Sequence, residues 1–270
     1  MRLFARAYFI FAYFLSWLIF GVVGLALNFM CALLLLLPRR ARFGPAVRRV
    51  IRWLFASWLK WLHAARGFRF DWRGFDSPLP TGVVYVANHP SLVDATFLLA
   101  RLPDTVCIFK PALLRNPAIG PAARMAGYVA GNTGIDLIHD ATDAVIAGRS
   151  FLIFPEGTRT AAGVTLNPLK PGFALIAVRA AAPVQLIIIR TPRDLCPKGR
   201  PWWHVPQFPV HVEITLGDRL QPSPGQHAAE LTAEVERRFL AALREQPPSP
   251  HSTGPSTGSG LRRTGPTSNR

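Results

Sequence analysis

The chain has 270 residues, of which half are apolar, and a net charge of +16 at pH 7. This length favours one α/β domain with appendages, and the basic excess indicates nucleic acid or anionic lipid as a partner. The three cysteines are isolated from one another and from any pair of histidines, so the sequence suggests neither a disulfide framework nor a zinc site.

The first long element is an uncharged, apolar segment at residues 8–37, which is longer than a membrane helix requires. As one helix it would be about 45 Å long against a hydrocarbon core of roughly 30 Å, so it must tilt, protrude or break. Residues 1–66 carry ten Lys or Arg and no acid, which favours lipid over nucleic acid. Either a spanning helix or a re-entrant hairpin places the rest of the chain in the cytoplasm, at the inner membrane if the source is bacterial.

An amphipathic helix is predicted next, from an apolar stripe at helical spacing with basic residues on its other faces. The stripe consists of Val47, Val50, Ile51, Leu54, Phe55, Trp58, Leu59 and Leu62. It indicates a helix that lies on anionic lipid, although packing on the domain core with a solvated basic face would give the same pattern. Residues 1–66 are therefore assigned to a membrane segment and interfacial helix, residues 67–245 to an α/β domain, and the Pro/Ser/Gly/Thr-rich residues 246–270 to a disordered tail.

Short β-rich apolar runs alternate with helical patterns through the domain. We predict strands at 82–87, 105–109, 150–154, 184–189 and 210–216, and helices at 92–101, 118–127, 140–148, 171–181 and 228–243. Buried strands that are separated by crossover helices imply an α/β fold. The sequence thus predicts a mixed, mostly parallel sheet flanked by helices, preceded by a hydrophobic membrane helix or hairpin.

The segment "ANHPSLVDA" places His89 just past the first strand and Asp94 five positions later. Pro90 suits the first position of a helix, which would put Asp94 in the second turn and lean it back towards His89. Loops after strand carboxyl ends are where open α/β sheets bind ligands. The pair is therefore a candidate base and orienting carboxylate.

A second motif, "FPEGTRT" at residues 154–160, follows the strand at 150–154 in the same way. Gly157 allows the backbone to turn or to approach a ligand closely. A Pro-Glu-Gly turn followed by a surface arginine is the alternative interpretation of this motif.

The order and separation of the two motifs resemble the glycerolipid acyltransferase family, which includes 1-acylglycerol-3-phosphate acyltransferases, over about residues 75–220. The resemblance implies that His89 and Asp94 are catalytic, within an Asn-His-x4-Asp block that begins at Asn88. It also implies substrate binding by Glu156, Gly157, Thr158 and Arg159, and by Lys110, which begins a further family segment. No metal ligand and no cofactor are implied.

One block departs from the family pattern. The segment "GNTGIDLIHDA" keeps Asp136, but Leu137 stands where the family commonly has arginine. The resemblance implies that the family arginine helps hold the acceptor's phosphate. Either Lys110, Arg115 or Arg124 compensates, or the acceptor is not lysophosphatidic acid.

The resemblance implies acyl transfer from acyl-CoA or acyl carrier protein to a lysophospholipid hydroxyl, most simply that of 1-acylglycerol-3-phosphate. His89 would remove the hydroxyl proton and Asp94 would hold the imidazole tautomer. Three alternatives stay open: a different lyso-lipid acceptor, a hydrolase that uses Ser91, which lacks a G-x-S-x-G elbow, and a non-enzymatic basic protein bound to the membrane. The expected partners are the lipid acceptor, the acyl donor and an anionic bilayer, with no nucleic acid.

Overall fold

The structure is a computed structural model that describes residues 2–131 and 135–245. The tail predicted at 246–270 lies outside the described residues, as do residues 132–134 in front of Asp136. Within the described ranges the helices are α1 (Arg2–Leu34), α2 (Gly44–Ala64), α3 (Asp94–Leu99), α4 (Pro111–Arg115), α5 (Gly120–Ala126), α6 (Ile135–Ile146), α7 (Gly172–Arg179) and α8 (Ala228–Arg244). The strands are β1 (Phe68–Arg73), β2 (Val84–Ala87), β3 (Thr105–Phe109), β4 (Val129–Ala130), β5 (Ser150–Ile153), β6 (Val184–Arg190) and β7 (Val210–Leu220).

The strands form one seven-stranded sheet in the order β1-β7-β6-β2-β5-β3-β4. Only β6 and β7 pair antiparallel, and the other neighbours are parallel. The fold is the predicted mostly parallel α/β sheet flanked by helices. Each of the five predicted strands is present, and β2 and β6 are buried along almost their whole length because helices cover both faces of the sheet.

Two strands were not predicted. β1 has the sequence FRFDWR, in which apolar and charged residues alternate, and it is an edge strand that pairs with β7 alone. β4 is only two residues long, which is too short to show a periodic pattern in the sequence.

The helices form two groups. α2 contacts α1, α3 and α5, whereas α7 contacts α6 and α8. In α2 most of the predicted apolar stripe packs inward, since Val47, Ile51, Trp58, Leu59 and Leu62 are buried in the core. The interpretation of the stripe as a lipid-facing surface is therefore wrong for these five residues. Their burial leaves Val50, Trp53 and the exposed basic residues of α2 on the outside.

The N-terminal apolar segment is one continuous helix, with no break at Gly21 or Gly24. Residues Phe4–Leu34 are long and apolar enough to cross a membrane, by length and composition only. One side of α1 nevertheless packs on the domain: the Asn28 side-chain oxygen accepts the backbone N–H of Ala122 at 3.0 Å, and the Tyr13 hydroxyl donates to the Trp202 carbonyl at 2.8 Å. The other side exposes large apolar residues along the length of the helix, from Phe4 to Leu33.

Candidate active site

The two sequence motifs meet at the carboxyl ends of three neighbouring strands, β6, β2 and β5. His89 follows the end of β2 by two residues, and Glu156 follows the end of β5 by three. Because β2 lies between β5 and β6 in parallel, the loops after these strands share one edge of the sheet. This topology brings together residues that are 67 positions apart in the chain.

His89 and Asp94 form a hydrogen-bonded pair. Asp94 Oδ2 lies 2.9 Å from His89 Nδ1 and also accepts the backbone N–H of Ser91 at 2.7 Å. The Asp94 side chain is fully buried, whereas 18% of the His89 side chain is exposed. The imidazole stacks on the Phe154 ring with centroids 4.2 Å apart. These contacts fix the plane of the imidazole, while Nε2 has no hydrogen-bond partner within residues 2–131 and 135–245.

The local fold around this pair differs from the sequence prediction. Asp94 is the first residue of α3, not a residue of its second turn, so the prediction that Pro90 begins the helix is wrong. The physical reason is that the Asp94 carboxylate captures the Ser91 N–H and closes a turn in front of the helix. That turn, and not a helical lean, folds His89 back onto Asp94.

Burial and hydrogen bonding act on the pKa of Asp94 in opposite directions. Burial raises the pKa of the Asp94 carboxyl above its usual range, while the hydrogen bonds from His89 and from the Ser91 N–H partly offset this effect. When Asp94 is ionised it can only accept, so His89 Nδ1 carries the proton and Nε2 presents a lone pair. The arrangement is that of a general base whose tautomer is set by a buried carboxylate.

Glu156 links the two motifs directly. Its Oε1 accepts the backbone N–H of His89 at 2.7 Å, its Oε2 accepts that of Asn167 at 2.9 Å, and the Thr160 hydroxyl donates to both oxygens. The residue is 3% exposed. A buried carboxylate that accepts several N–H and O–H donors is a strong local anchor, and here it positions the backbone of the histidine. Sequence reasoning did not identify Thr160 and Asn167 as its partners.

Asn88 extends the sheet beyond the end of β2. Its amide donates to the Ile189 carbonyl at 2.8 Å and accepts the Ile189 N–H at 2.7 Å, in the manner of a backbone ladder. The residue before the histidine therefore fixes the exit direction of the chain from the sheet.

Arg159 spans from the β5 loop to the loop after β6. One of its terminal nitrogens, Nη1, donates to the carbonyls of Cys196 at 3.0 Å and Pro197 at 2.7 Å. Gly157 has a φ of +67°, and a Cβ at this position would lie 2.8 Å from Lys170 Nζ, so the Lys170 side chain runs over the glycine backbone. Arg159 and Lys170 thus place two cations beside the EGTR turn.

The other predicted residues lie less close to the pair. Lys110 is exposed in front of α4, and it makes no hydrogen bond or ion pair with His89, Asp94 or residues 156–159 in the described structure. Thr158 is half-buried.

Ser91 is fully buried and its hydroxyl accepts the Val93 N–H at 3.4 Å, not a bond from the His89 ring, which argues against Ser91 as a nucleophile. Within the described ranges no group of three or more His, Cys, Asp or Glu is placed to hold a metal ion.

An apolar cavity of about 810 Å³ lies between α1, α2, α3, β3 and α5. Its lining includes Ala95 and Thr96, which directly follow Asp94, and Trp58 and Phe20 from α2 and α1. The volume is within the range of small-molecule binding sites. Helix α1 is therefore one wall of a cavity that includes the two residues after Asp94 in its lining.

Comparison with known proteins gives the same assignment as the motifs. A family model described as Acyltransferase matches residues 75–190. A lyso-ornithine lipid O-acyltransferase of Pseudomonas aeruginosa is 30% identical over 214 residues, which are 74% of this chain and 80% of that protein. The chain belongs to the glycerolipid acyltransferase family. The matched blocks contain His89, Asp94 and residues 156–159.

Other family members match over shorter parts of their length. A chloroplastic 1-acyl-sn-glycerol-3-phosphate acyltransferase of Brassica napus, BAT2, is 32% identical over 49% of this chain, and this chain spans 40% of that protein. The crystal structure of PlsC, the 1-acyl-sn-glycerophosphate acyltransferase of Thermotoga maritima, has a TM-score of 0.66 with 22% identity. The match covers 90% of this chain and 97% of that one, which supports the fold of the acyltransferase family over nearly the whole described chain.

Proposed function

We propose that this chain is a membrane-bound O-acyltransferase that moves a fatty acyl group from acyl-CoA or acyl carrier protein to the hydroxyl of a lysophospholipid. The observation that carries the proposal is the hydrogen-bonded His89–Asp94 pair, with Nε2 of the imidazole free of protein partners in the described ranges. An apolar cavity is lined in part by Ala95 and Thr96, the two residues after Asp94. The catalytic domain would face the cytoplasm, at the inner membrane if the source is bacterial.

In the proposed reaction the acceptor's hydroxyl oxygen attacks the thioester carbonyl while His89 Nε2 takes the hydroxyl proton. A C–O bond forms and the C–S bond breaks. The imidazolium, stabilised by Asp94, returns its proton to the departing thiolate, so the products are an ester and a free thiol. The nucleophile is the substrate's own hydroxyl, which is consistent with the engagement of the Ser91 side chain elsewhere.

The cavity supports the assignment of a long-chain lipid substrate. Its lining residues are almost all apolar and come largely from α1 and α2, and hydrocarbon placed there is removed from water at a gain of about 25 cal/mol per Å². We therefore assign this cavity to a fatty acyl chain whose reactive end lies near His89.

The packing of α1 supports attachment within one leaflet. Contacts with the domain occur at both Tyr13 and Asn28, so one side of the helix is covered over much of its length while the other exposes apolar residues. Such a helix matches an element that lies in the interface with its apolar side in the acyl region. The domain would then meet lipid substrates at the membrane surface.

Two acceptors are supported by different observations. Arg159 keeps Nε and Nη2 free of protein partners in the described structure, and with Lys170 nearby it can bind a phosphate, as 1-acylglycerol-3-phosphate requires. Leu137 in place of the family arginine removes one cation. The Pseudomonas aeruginosa relative, which this chain matches over 80% of its length, is named for lyso-ornithine lipid, and this favours lyso-ornithine lipid as the second candidate.

The test is an acceptor panel with the full chain in mixed micelles. Labelled acyl-CoA and acyl carrier protein are each offered with 1-acylglycerol-3-phosphate, lyso-ornithine lipid and other lyso-lipids, and products are identified by mass spectrometry. His89→Ala is the control for enzyme-dependent transfer. We expect an ester product that His89→Ala does not form. Transfer at the wild-type rate by His89→Ala would refute the mechanism, and a product from lyso-ornithine lipid alone would refute the phosphate acceptor.

The role of Arg159 is tested in the same assay. Arg159→Lys keeps the charge but loses the planar fork of donors, so with a phosphate acceptor it should raise the acceptor KM more than it lowers kcat. An unchanged KM for 1-acylglycerol-3-phosphate would count against a phosphate at this arginine.

A further inference from the structure

The loop at residues 197–204, with the sequence PKGRPWWH, is a surface that the acyl-transfer mechanism does not use. We define it as the Trp loop. Trp202 is 44% exposed and Trp203 is 57% exposed, and their rings meet edge to face with centroids 5.7 Å apart. Two adjacent exposed tryptophans are costly in water and indicate a binding surface.

The Trp loop is continuous with the apolar helix α1. The Trp17 ring lies 5.2 Å from that of Trp202, and the Tyr13 hydroxyl donates to the Trp202 carbonyl at 2.8 Å. Just beyond the loop, Phe208 stacks on Phe9 of the same helix. The exposed tryptophans therefore extend the apolar surface of α1 sideways.

The charges on the Trp loop complement an anionic membrane. Lys198 and Arg200 are both exposed, and residues 197–209 contain no acidic residue. Tryptophan is enriched at the level of the lipid headgroups, and each Lys or Arg near an anionic membrane surface contributes about 1 kcal/mol. Trp beside Lys and Arg is thus the composition of an interfacial contact.

The start of the loop is held at the candidate active site. Arg159 donates to the Cys196 and Pro197 carbonyls, and the Leu92 N–H donates to the Cys196 carbonyl at 3.2 Å. Leu92 lies in the turn between His89 and Asp94. With one end fixed there and the other against α1, the loop has a defined position relative to the catalytic pair.

We propose that the Trp loop is a second membrane contact, in which Trp202 and Trp203 enter the interfacial region while Lys198 and Arg200 bind anionic headgroups. The inference rests on the proposed membrane attachment through α1. It adds a membrane-binding surface next to Arg159 that holds this side of the candidate active site against the bilayer. An acceptor headgroup then reaches the catalytic pair without leaving the membrane interface.

The experiment uses an environment-sensitive fluorophore on a single introduced cysteine in the full chain, reconstituted in vesicles of phosphatidylcholine with or without phosphatidylglycerol. The native Cys31, Cys107 and Cys196 are all buried, and burial raises the pKa of the Cys107 and Cys196 thiols, so they react slowly. The test variant is Trp203→Cys. Phe11→Cys, at an exposed position of α1, reports membrane attachment, and Ala229→Cys, at an exposed position of α8, is the aqueous control.

We expect the labels at positions 203 and 11 to shift to shorter emission wavelength and to be quenched by spin-labelled lipid, with the shift at 203 largest when phosphatidylglycerol is present. The label at 229 should be quenched by iodide instead. A lipid-quenched label at 11 with a water-exposed label at 203 would overturn the Trp loop proposal and leave membrane attachment standing. A water-exposed label at 11 would refute the attachment itself. Shielding of position 203 only when acyl carrier protein is added would make the loop a protein docking site and overturn its assignment to lipid.

Discussion

Replacing Asp94 by asparagine removes the charge of the carboxylate but leaves an oxygen that can accept the same hydrogen bonds. Both His89 Nδ1 and the Ser91 N–H contact Oδ2, whereas Oδ1 is buried without a hydrogen-bond partner in the described structure. An amide nitrogen at the Oδ2 position would face the Ser91 N–H donor. We therefore expect the amide oxygen to occupy that position, so that His89 keeps its proton on Nδ1 and only the charge is lost.

The size of the effect follows from that geometry. Two unit charges about 4 Å apart interact by about 4 kcal/mol at an effective dielectric constant of about 20. If between half and all of this interaction stabilises the developing imidazolium, kcat falls by about 30-fold to about 1,000-fold. A reversed tautomer would cost more, about 10⁴-fold by analogy with serine proteases.

Two measurements check this prediction. Steady-state kinetics at saturating donor and acceptor give kcat for the wild type and for Asp94→Asn, with the exposed-surface substitution Asp143→Asn on α6 as the matched control. Nitrogen NMR of the histidine side chains, assigned with His89→Gln, reports which ring nitrogen is protonated. A loss of about 10⁴-fold with a reversed tautomer would refute the hydrogen-bond reasoning, and a loss below about tenfold would refute the role of the charge.

Three further predictions concern stability. Burial raises the pKa of the folded-state Asp94 carboxyl, so its ionised form costs stability that is recovered as the pH falls through this pKa. Denaturant melts should therefore show the free energy of unfolding of the wild type rising, relative to that of Asp94→Asn, upon acidification. A difference between the two that does not change with pH would contradict this. Glu156→Gln puts an amide nitrogen against a backbone N–H and should lower the free energy of unfolding by about 1–3 kcal/mol. The control Glu230→Gln, at an exposed position, should change it little. Equal effects of the two substitutions would contradict the role of Glu156 as an anchor of the His89 backbone. Gly157→Ala and Gly163→Ala should each lose about 1–2 kcal/mol from positive φ. The two losses should be similar, because a Cβ at position 157 meets only the flexible end of the Lys170 side chain, which can move aside. Thermal melts that show a much larger loss for Gly157→Ala would contradict this.

The sheet was largely predictable because buried parallel strands are short apolar runs bounded by polar residues. The ends of β2 and β5 followed from such runs, and with them the shared edge that carries His89 and Glu156. β1 was missed although its sequence, FRFDWR, alternates strictly between apolar and charged residues, which is the pattern of a half-buried strand. The inward packing of α2 could not be predicted, since one amphipathic stripe suits either lipid or a protein core.

The candidate site was predictable in its residue types but not in its contacts. The spacing of His89 and Asp94 suggested a pair, yet the turn that joins them depends on one backbone N–H finding a carboxylate oxygen. The position of Glu156 against the His89 backbone depends on which strands are neighbours, and that information is non-local. Whether Glu156, Thr158 and Lys110 touch substrate stays a prediction.

The packing of α1 limits how the protein can be handled in the laboratory. Apolar N-terminal helices are routinely deleted to obtain a soluble catalytic fragment. Here a fragment that starts at residue 35 would lose the partners of Trp58, Ala122 and Trp202 and would open the cavity along one side. Such a fragment would expose the apolar surface that α1 covers and would be more prone to aggregate than the full chain, so detergent or nanodisc preparations of the intact protein are the appropriate starting material.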